Sequence, residues 1–132
     1  MTIPTPFWRL EDAKTGEPVT LPQRRVDFRG EDNWTVHGGR PPAEPGRSGY
    51  VRVTDENDRE REFYPSVYGL AWRLRPELAT AALLMARGGS FAKHIGQAYL
   101  VADTNNTWRL LAAFPDLFER YLEELQHAAG DQ

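Results

Sequence analysis

The chain has 132 residues, 40% hydrophobic and 27% charged, and 16 basic against 19 acidic side chains give it a formal charge of −3. That length suits one compact domain or two very small ones and is enough to bury a core. With no cysteine, a disulfide framework and any thiolate metal site are excluded. Charges of both signs interleave through the first half, which speaks against a dedicated nucleic-acid binder with its basic face.

Met1 to Pro6 shows no basic region followed by an apolar run, and no stretch approaches the roughly 18 apolar residues of a membrane span, so a soluble, cytoplasmic protein is expected. Among the basic residues only Lys14 and Lys93 are lysines. A GC-rich genome explains this bias better than a need for planar donors does.

In chain order, Phe7–Leu10 and Pro18–Leu21 are β-prone runs around a reversal at Glu11–Gly16, which predicts a first hairpin. Val26 and Phe28 alternate with Asp27 and Arg29. Gly30-Glu31-Asp32-Asn33 then turns the chain into Trp34–His37, which predicts a second hairpin. Gly38 to Gly46 contains three prolines and reads as a surface loop. Tyr50–Thr54 resumes the alternation, Asp55–Asp58 is a turn, and Arg59–Tyr64 and Val67–Leu74 supply further strands. Short strands about 10 residues apart predict a small twisted antiparallel sheet or an open barrel. Its core candidates are Val26, Phe28, Trp34, Val36, Val51, Val53, Phe63, Leu70 and Trp72.

The period changes near Arg75. Leu78–Arg87 is rich in strong helix formers and ends at Gly88-Gly89. Ser90 is the expected cap of a second helix whose buried face carries Phe91, Ile95, Ala98, Tyr99 and Ala102. Asp103 or Thr104 caps a third, carrying Trp108, Leu111 and Ala112. Pro115 opens a fourth with an apolar stripe of Leu117, Phe118, Tyr121, Leu122, Leu125 and Ala128. The expected fold is therefore α+β: a β-rich part over 1–74 and a three- to four-helix part over 75–132, packed together as one compact unit because no flexible linker joins them.

Catalytic chemistry has little support. His37, His94 and His127 are not in zinc spacing, and the glycine pairs lack the spacing of a phosphate loop. Asp27, Glu31 and Asp32 near His37 read as turn formers rather than as an acid–base set. No catalytic, cofactor-binding or metal residue is assigned. The arginines 24, 25, 29, 40, 47, 59 and 61 make an anion-binding surface only if they converge on one edge, and each has an acidic neighbour.

Val26-Asp27-Phe28-Arg29-Gly30-Glu31 with Trp34, Gly49-Tyr50-Val51 and Phe63 to Leu70 resembles small proteins of phages and integrated mobile elements. So does Gly89-Ser90-Phe91 with Ala98, Ala102-Asp103, Asn106, Leu110, Ala113 to Phe118 and Tyr121. The resemblance implies a mobile-element origin and carries over no site residue.

The expected function is a non-enzymatic protein that works in the host bacterial cytoplasm by occupying a surface of a host protein. Inhibition of a defence system such as a CRISPR effector is one concrete form, and the alternative is a nucleic-acid-binding small barrel used in element maintenance. The expected partner is a host protein, nucleic acid being second, with no membrane and no cofactor. The expected contact residues sit on two loops: Arg40 and Arg47, and Asp55, Glu56, Asp58, Arg59 and Arg61.

Overall fold

The computed structural model describes residues 2–31 and 34–130. All its strands precede Arg75 and its four α-helices follow, so the fold is α+β. The chain divides into two units: Trp8–Arg73, and a helical unit in which the residues up to Phe7 join those from Leu74 onward. The sequence places that opening segment with the strands. In the structure Ile3 and Phe7 are buried, and the Arg75 N–H donates to the Phe7 carbonyl at 2.9 Å.

The first unit contains β1 (Trp8–Asp12), β2 (Gln23–Arg25), β3 (Trp34–Arg40), β4 (Tyr50–Thr54), β5 (Glu60–Phe63) and all but the last residue of β6 (Leu70–Leu74). They form two sheets instead of a barrel: β1 pairs with β6, and the other four run antiparallel in the order β2-β3-β4-β5. The expected first hairpin is reduced to one bridge, Glu11 to Pro18. Pro18 and Pro22 remove ladder donors, so the intervening segment packs Val19 and Leu21 against the core without becoming a strand.

Two further expectations are corrected. Val26 and Phe28 do not continue β2; the chain turns at Asp27 and both side chains face solvent. Asp32 and Asn33, assigned by the sequence to that turn, lie outside the described residues. Gly38, Gly39 and Arg40 belong to β3 and pair with Arg52, Val51 and Tyr50, so the proline-rich loop begins only at Pro41. The register shifts between Val36 and Gly38, and a Cβ at Gly39 would collide with the backbone of Tyr50 and Val51. This strand needs glycine for close approach, whereas a loop would need it for turning.

The alternation of β3 and β4 sends Val36, Val51 and Val53 into a core completed by Leu10, Tyr68 and Leu70, with Trp34, Phe63 and Trp72 packed at its edge. The opposite face displays Arg40, Tyr50 and Arg52 to solvent.

In the second unit, α1 (Glu77–Ala86) packs on α2 (Ser90–Val101) and on α4 (Pro115–Gly130), and α3 (Thr104–Ala113) touches α2 and α4. Asp103 caps α3 by accepting the Asn106 N–H at 2.8 Å. Ser90 is not a cap but the first helical residue, behind Gly89. The buried line of α2 is also shifted: Gly96 is buried, Ile95 and Tyr99 are half-buried, and Phe91 and Ala98 are exposed. A Cβ at Gly96 would overlap Ala82 O, Ala86 N and Met85 Cβ, so the missing side chain is what lets α1 lie on that line. On α4, Phe118 and Leu122 are buried, Leu117, Tyr121 and Leu125 are half-buried, and Ala128 is exposed. Among the described residues no helix is long and apolar enough to cross a membrane.

Gly96→Ala tests this packing, because helix propensity favours Ala by about 1 kcal/mol while overpacking costs about 1–3 kcal/mol. Overpacking should win, and a denaturant melt should show net destabilisation. Leu122→Ala should cost about 2–5 kcal/mol, with Glu123→Ala close to neutral in the same assay.

Candidate functional site

The sheet register sorts the seven expected contact residues into two groups. Trp34 faces Arg25, and Thr54 faces both Thr35 and Glu60, so the β2–β3 and β4–β5 turns leave the sheet at the same end. They are two strand spacings apart, on the order of 10 Å. Asp55, Glu56, Asp58, Arg59 and Arg61 belong to this end. Arg40 and Arg47 lie at the other, where Arg40 pairs with Tyr50 and the proline-rich loop closes. The arginines therefore do not converge on one edge.

At the first end the β2–β3 turn is built around the carboxylate of Asp27, a buried residue. Its Oδ1 accepts the Arg29 N–H at 2.8 Å and the Glu31 N–H at 3.1 Å. Its Oδ2 accepts the Trp34 indole N–H at 3.2 Å and the Arg29 guanidinium at 3.3 Å. Backbone bonds from Asp27 to Glu31 and from Gly30 to Asp27 close the loop, with Gly30 at φ 86° where a Cβ would be strained. The motif thus forms an Asx-type turn.

What that turn presents is apolar. Phe28 is 79% exposed and Val26 50% exposed. The Arg29 guanidinium, bound also to Glu31 at 3.1 Å, lies 5.8 Å over the Phe28 ring and braces it from one side. Sequence periodicity misses this site because Val26 and Phe28 alternate as strand residues do. The signal that could have found it is Asp27 followed at short range by Arg29, Gly30 and Glu31, a turn pattern inside an apparent strand.

The neighbouring β4–β5 turn uses Asp55 in the same way. Its Oδ1 accepts the N–H groups of Asn57 at 2.8 Å and Arg59 at 3.0 Å, and Arg61 lies 3.9 Å from Oδ2. Asp58 sits at φ 58°. Asp55 is therefore architecture, while Glu56, Asp58 and Arg59 are exposed and available for contact. Trp34, at the start of β3, joins Phe63 and Tyr68 in an aromatic cluster of edge-on and tilted rings with centroids 5.8–6.3 Å apart. The Tyr68 hydroxyl is buried without a hydrogen-bond partner, and burial, then the charge of Asp27, pushes its pKa up to about 12.

At the opposite end a cavity of about 650 Å³ opens between the Pro41–Gly49 loop and Tyr50 and Tyr64. Arg40 makes two bonds to Glu62, at 3.0 and 2.9 Å, and lies 5.2 Å over the Tyr50 ring. Tyr50 stacks on Tyr64 at 5.4 Å. Arg47 reaches Glu44 at 3.7 Å.

His37 is on the exposed face and contacts the Thr54 hydroxyl at 2.8 Å, away from the Asp27 network. Among the described residues no group of three or more His, Asp or Glu is placed to hold a metal ion. Comparison with protein-family models, with curated proteins and with solved structures finds no match for this chain.

Three turn aspartates are held ionised. The Arg25 bond, then the Thr15 and Lys14 N–H groups, lower Asp12 to about 2. Burial raises Asp27, but its four bonds outweigh this and the net shift is downward. The Arg59 N–H leads the lowering at Asp55. Folded values below the ordinary 3.8 mean that this stabilisation is complete above the unfolded pKa and is lost as pH falls through the folded ones. The melting temperature should hold steady down to about pH 5 and fall between about 4 and 2, with a shallower acid slope in Asp27→Asn. Tyr68→Phe removes an unpartnered hydroxyl and should leave stability unchanged or raise it in a thermal melt.

Proposed function

We propose that this chain is a non-enzymatic binding protein that docks on a host protein by seating Phe28 in an apolar socket. Glu56 and Asp58, on the adjacent turn, face a basic rim of that partner. The observation that carries the reading is the pairing of Phe28 exposure with turn rigidity. A phenyl ring 79% exposed contributes little to folding, yet a buried carboxylate with four hydrogen-bond donors fixes the turn that displays it. Aromatic anchors on preorganised loops are the usual energetic centres of interfaces, because little entropy remains to be lost on docking.

Acidic side chains outnumber basic ones on these two turns, which favours a basic partner surface by complementary potential. The resemblance of the Asp27–Glu31 motif to small phage and mobile-element proteins extends the proposal to origin and target. The target is then a bacterial host protein with a nucleic-acid-facing surface, in a defence system such as a CRISPR effector. Direct nucleic-acid binding is the second reading, supported by the stacked tyrosines beside Arg40. Pairing of Arg40 with Glu62 and of Arg52 with Glu60 neutralises much of that face, so docking on protein is preferred.

Affinity capture from bacterial lysate with the wild-type chain, Phe28→Ala and Glu56→Lys tests the reading. A protein partner should be retained by the wild type and lost by Phe28→Ala. Removing a ring buried on docking forfeits roughly 1.5–3 kcal/mol, about ten-fold or more in affinity. Melting temperatures should stay unchanged, since surface substitutions shift stability by about 0.5 kcal/mol or less. Equal capture by wild type and Phe28→Ala would defeat the proposal.

A further inference from the structure

The opposite end of the sheet carries a second feature that protein docking does not use. Arg40 on β3, Tyr50 on β4 and Tyr64 just after β5 form a ladder of planar groups across three strands. The first member is locked: Arg40 spends its guanidinium on a two-point contact with Glu62. The middle ring lies between Arg40 and Tyr64, its rings 22° from parallel with the latter. Its backbone is fixed as well, because the Trp72 indole donates to the Tyr50 carbonyl at 3.0 Å. The last member is 57% exposed and followed by buried Pro65. It is one of the residues that line the cavity.

The other wall of that cavity is the proline-rich loop, whose neck is drawn tight. A Cβ at Gly49 would lie 2.5 Å from the Arg40 carbonyl and 2.9 Å from Pro41 and Pro42 atoms, and Pro42 is buried. The loop is thus pinned at its neck, and the Arg47 N–H donates to the Glu44 carbonyl at 3.3 Å farther out. Arg47 is the cation least committed to the fold here, at 3.7 Å from Glu44 with both side chains mostly exposed. A volume of about 650 Å³ falls in the range of small-ligand sites.

We propose that this cavity binds a nucleobase together with its phosphate, the base stacking on Tyr64 and the phosphate drawing Arg47 away from Glu44. A base supplies the planar π-face that continues the ladder, and a phosphate is the anion for which guanidinium geometry is suited. The same chemistry is offered by a free nucleotide and by an unstacked residue of a single strand. The site is independent of the Phe28 docking reading, since the two occupy opposite ends of the sheet.

Titration of the full chain with adenosine 5′-monophosphate, adenosine and a short oligodeoxythymidylate, followed by NMR shifts of the Tyr50 and Tyr64 resonances, tests it. Binding of the monophosphate, weakened by Tyr64→Ala about five-fold or more and retained by Tyr64→Phe, is expected. Arg47→Ala should bring the monophosphate down to the affinity of adenosine, and Phe28→Ala should bind as the wild type does. Tighter binding of the oligonucleotide assigns the site to a strand, and equal binding assigns it to the free nucleotide. With one phosphate engaged, affinity should fall with salt at a logarithmic slope of about −0.7 for a single strand. No binding at millimolar nucleotide, indifference to Tyr64→Ala, or adenosine binding as tightly as its monophosphate would each overturn the proposal.

Discussion

The Asp27 carboxylate is the contact on which the candidate docking end depends. It is buried, and it survives there because each oxygen receives two donors. One of them, the Trp34 indole, anchors the start of the longest strand and joins the aromatic cluster with Phe63 and Tyr68. A single ionised group thus couples the turn backbone, the first residue of β3 and the packing beneath the sheet. Protonating it weakens the bonds that hold all three, which links local turn geometry to acid stability in this unit.

The same economy governs both ends of the sheet. Side chains that look like contact residues in sequence are divided between structural work and exposure. Asp55 builds its turn, Arg40 braces Tyr50, and Arg61 sits beside Asp55, while Glu56, Asp58, Arg59 and Arg47 project outward. Charges that first appear as one mixed population therefore separate into an apolar, acid-flanked projection at one end and a stacked aromatic recess at the other. Convex and concave surfaces suit different ligands: a projecting ring fits a socket in a protein, and a recess with an open ring face fits a small planar group.

Much of the architecture was legible in the chain. The switch in period near Arg75 placed strands before it and helices after it, because side-chain alternation and helical spacing are local consequences of backbone geometry. Asp103 capping α3, Pro115 opening α4 and the inward valines of β3 and β4 follow for the same reason. Alternation by itself carries Val26 and Phe28 into the core, because it holds no record of where a strand stops; only the donors gathered by Asp27 end it. Gly38-Gly39 read as loop because glycine and neighbouring proline mark turns locally, whereas the close approach of β4 that requires them is a tertiary fact.

Sequence alone determined the α+β order, most helix limits and the residue types available for contact, since these rest on composition, periodicity and short-range capping. Tertiary structure decided which of those residues meet. It paired β1 with β6 rather than with the segment after its turn, set the buried line of α2 at Gly96, turned Phe28 outward, and lined up Arg40 of β3, Tyr50 of β4 and Tyr64 just after β5. Those outcomes depend on contacts between residues distant in the chain, and such contacts leave no periodic trace in the local sequence.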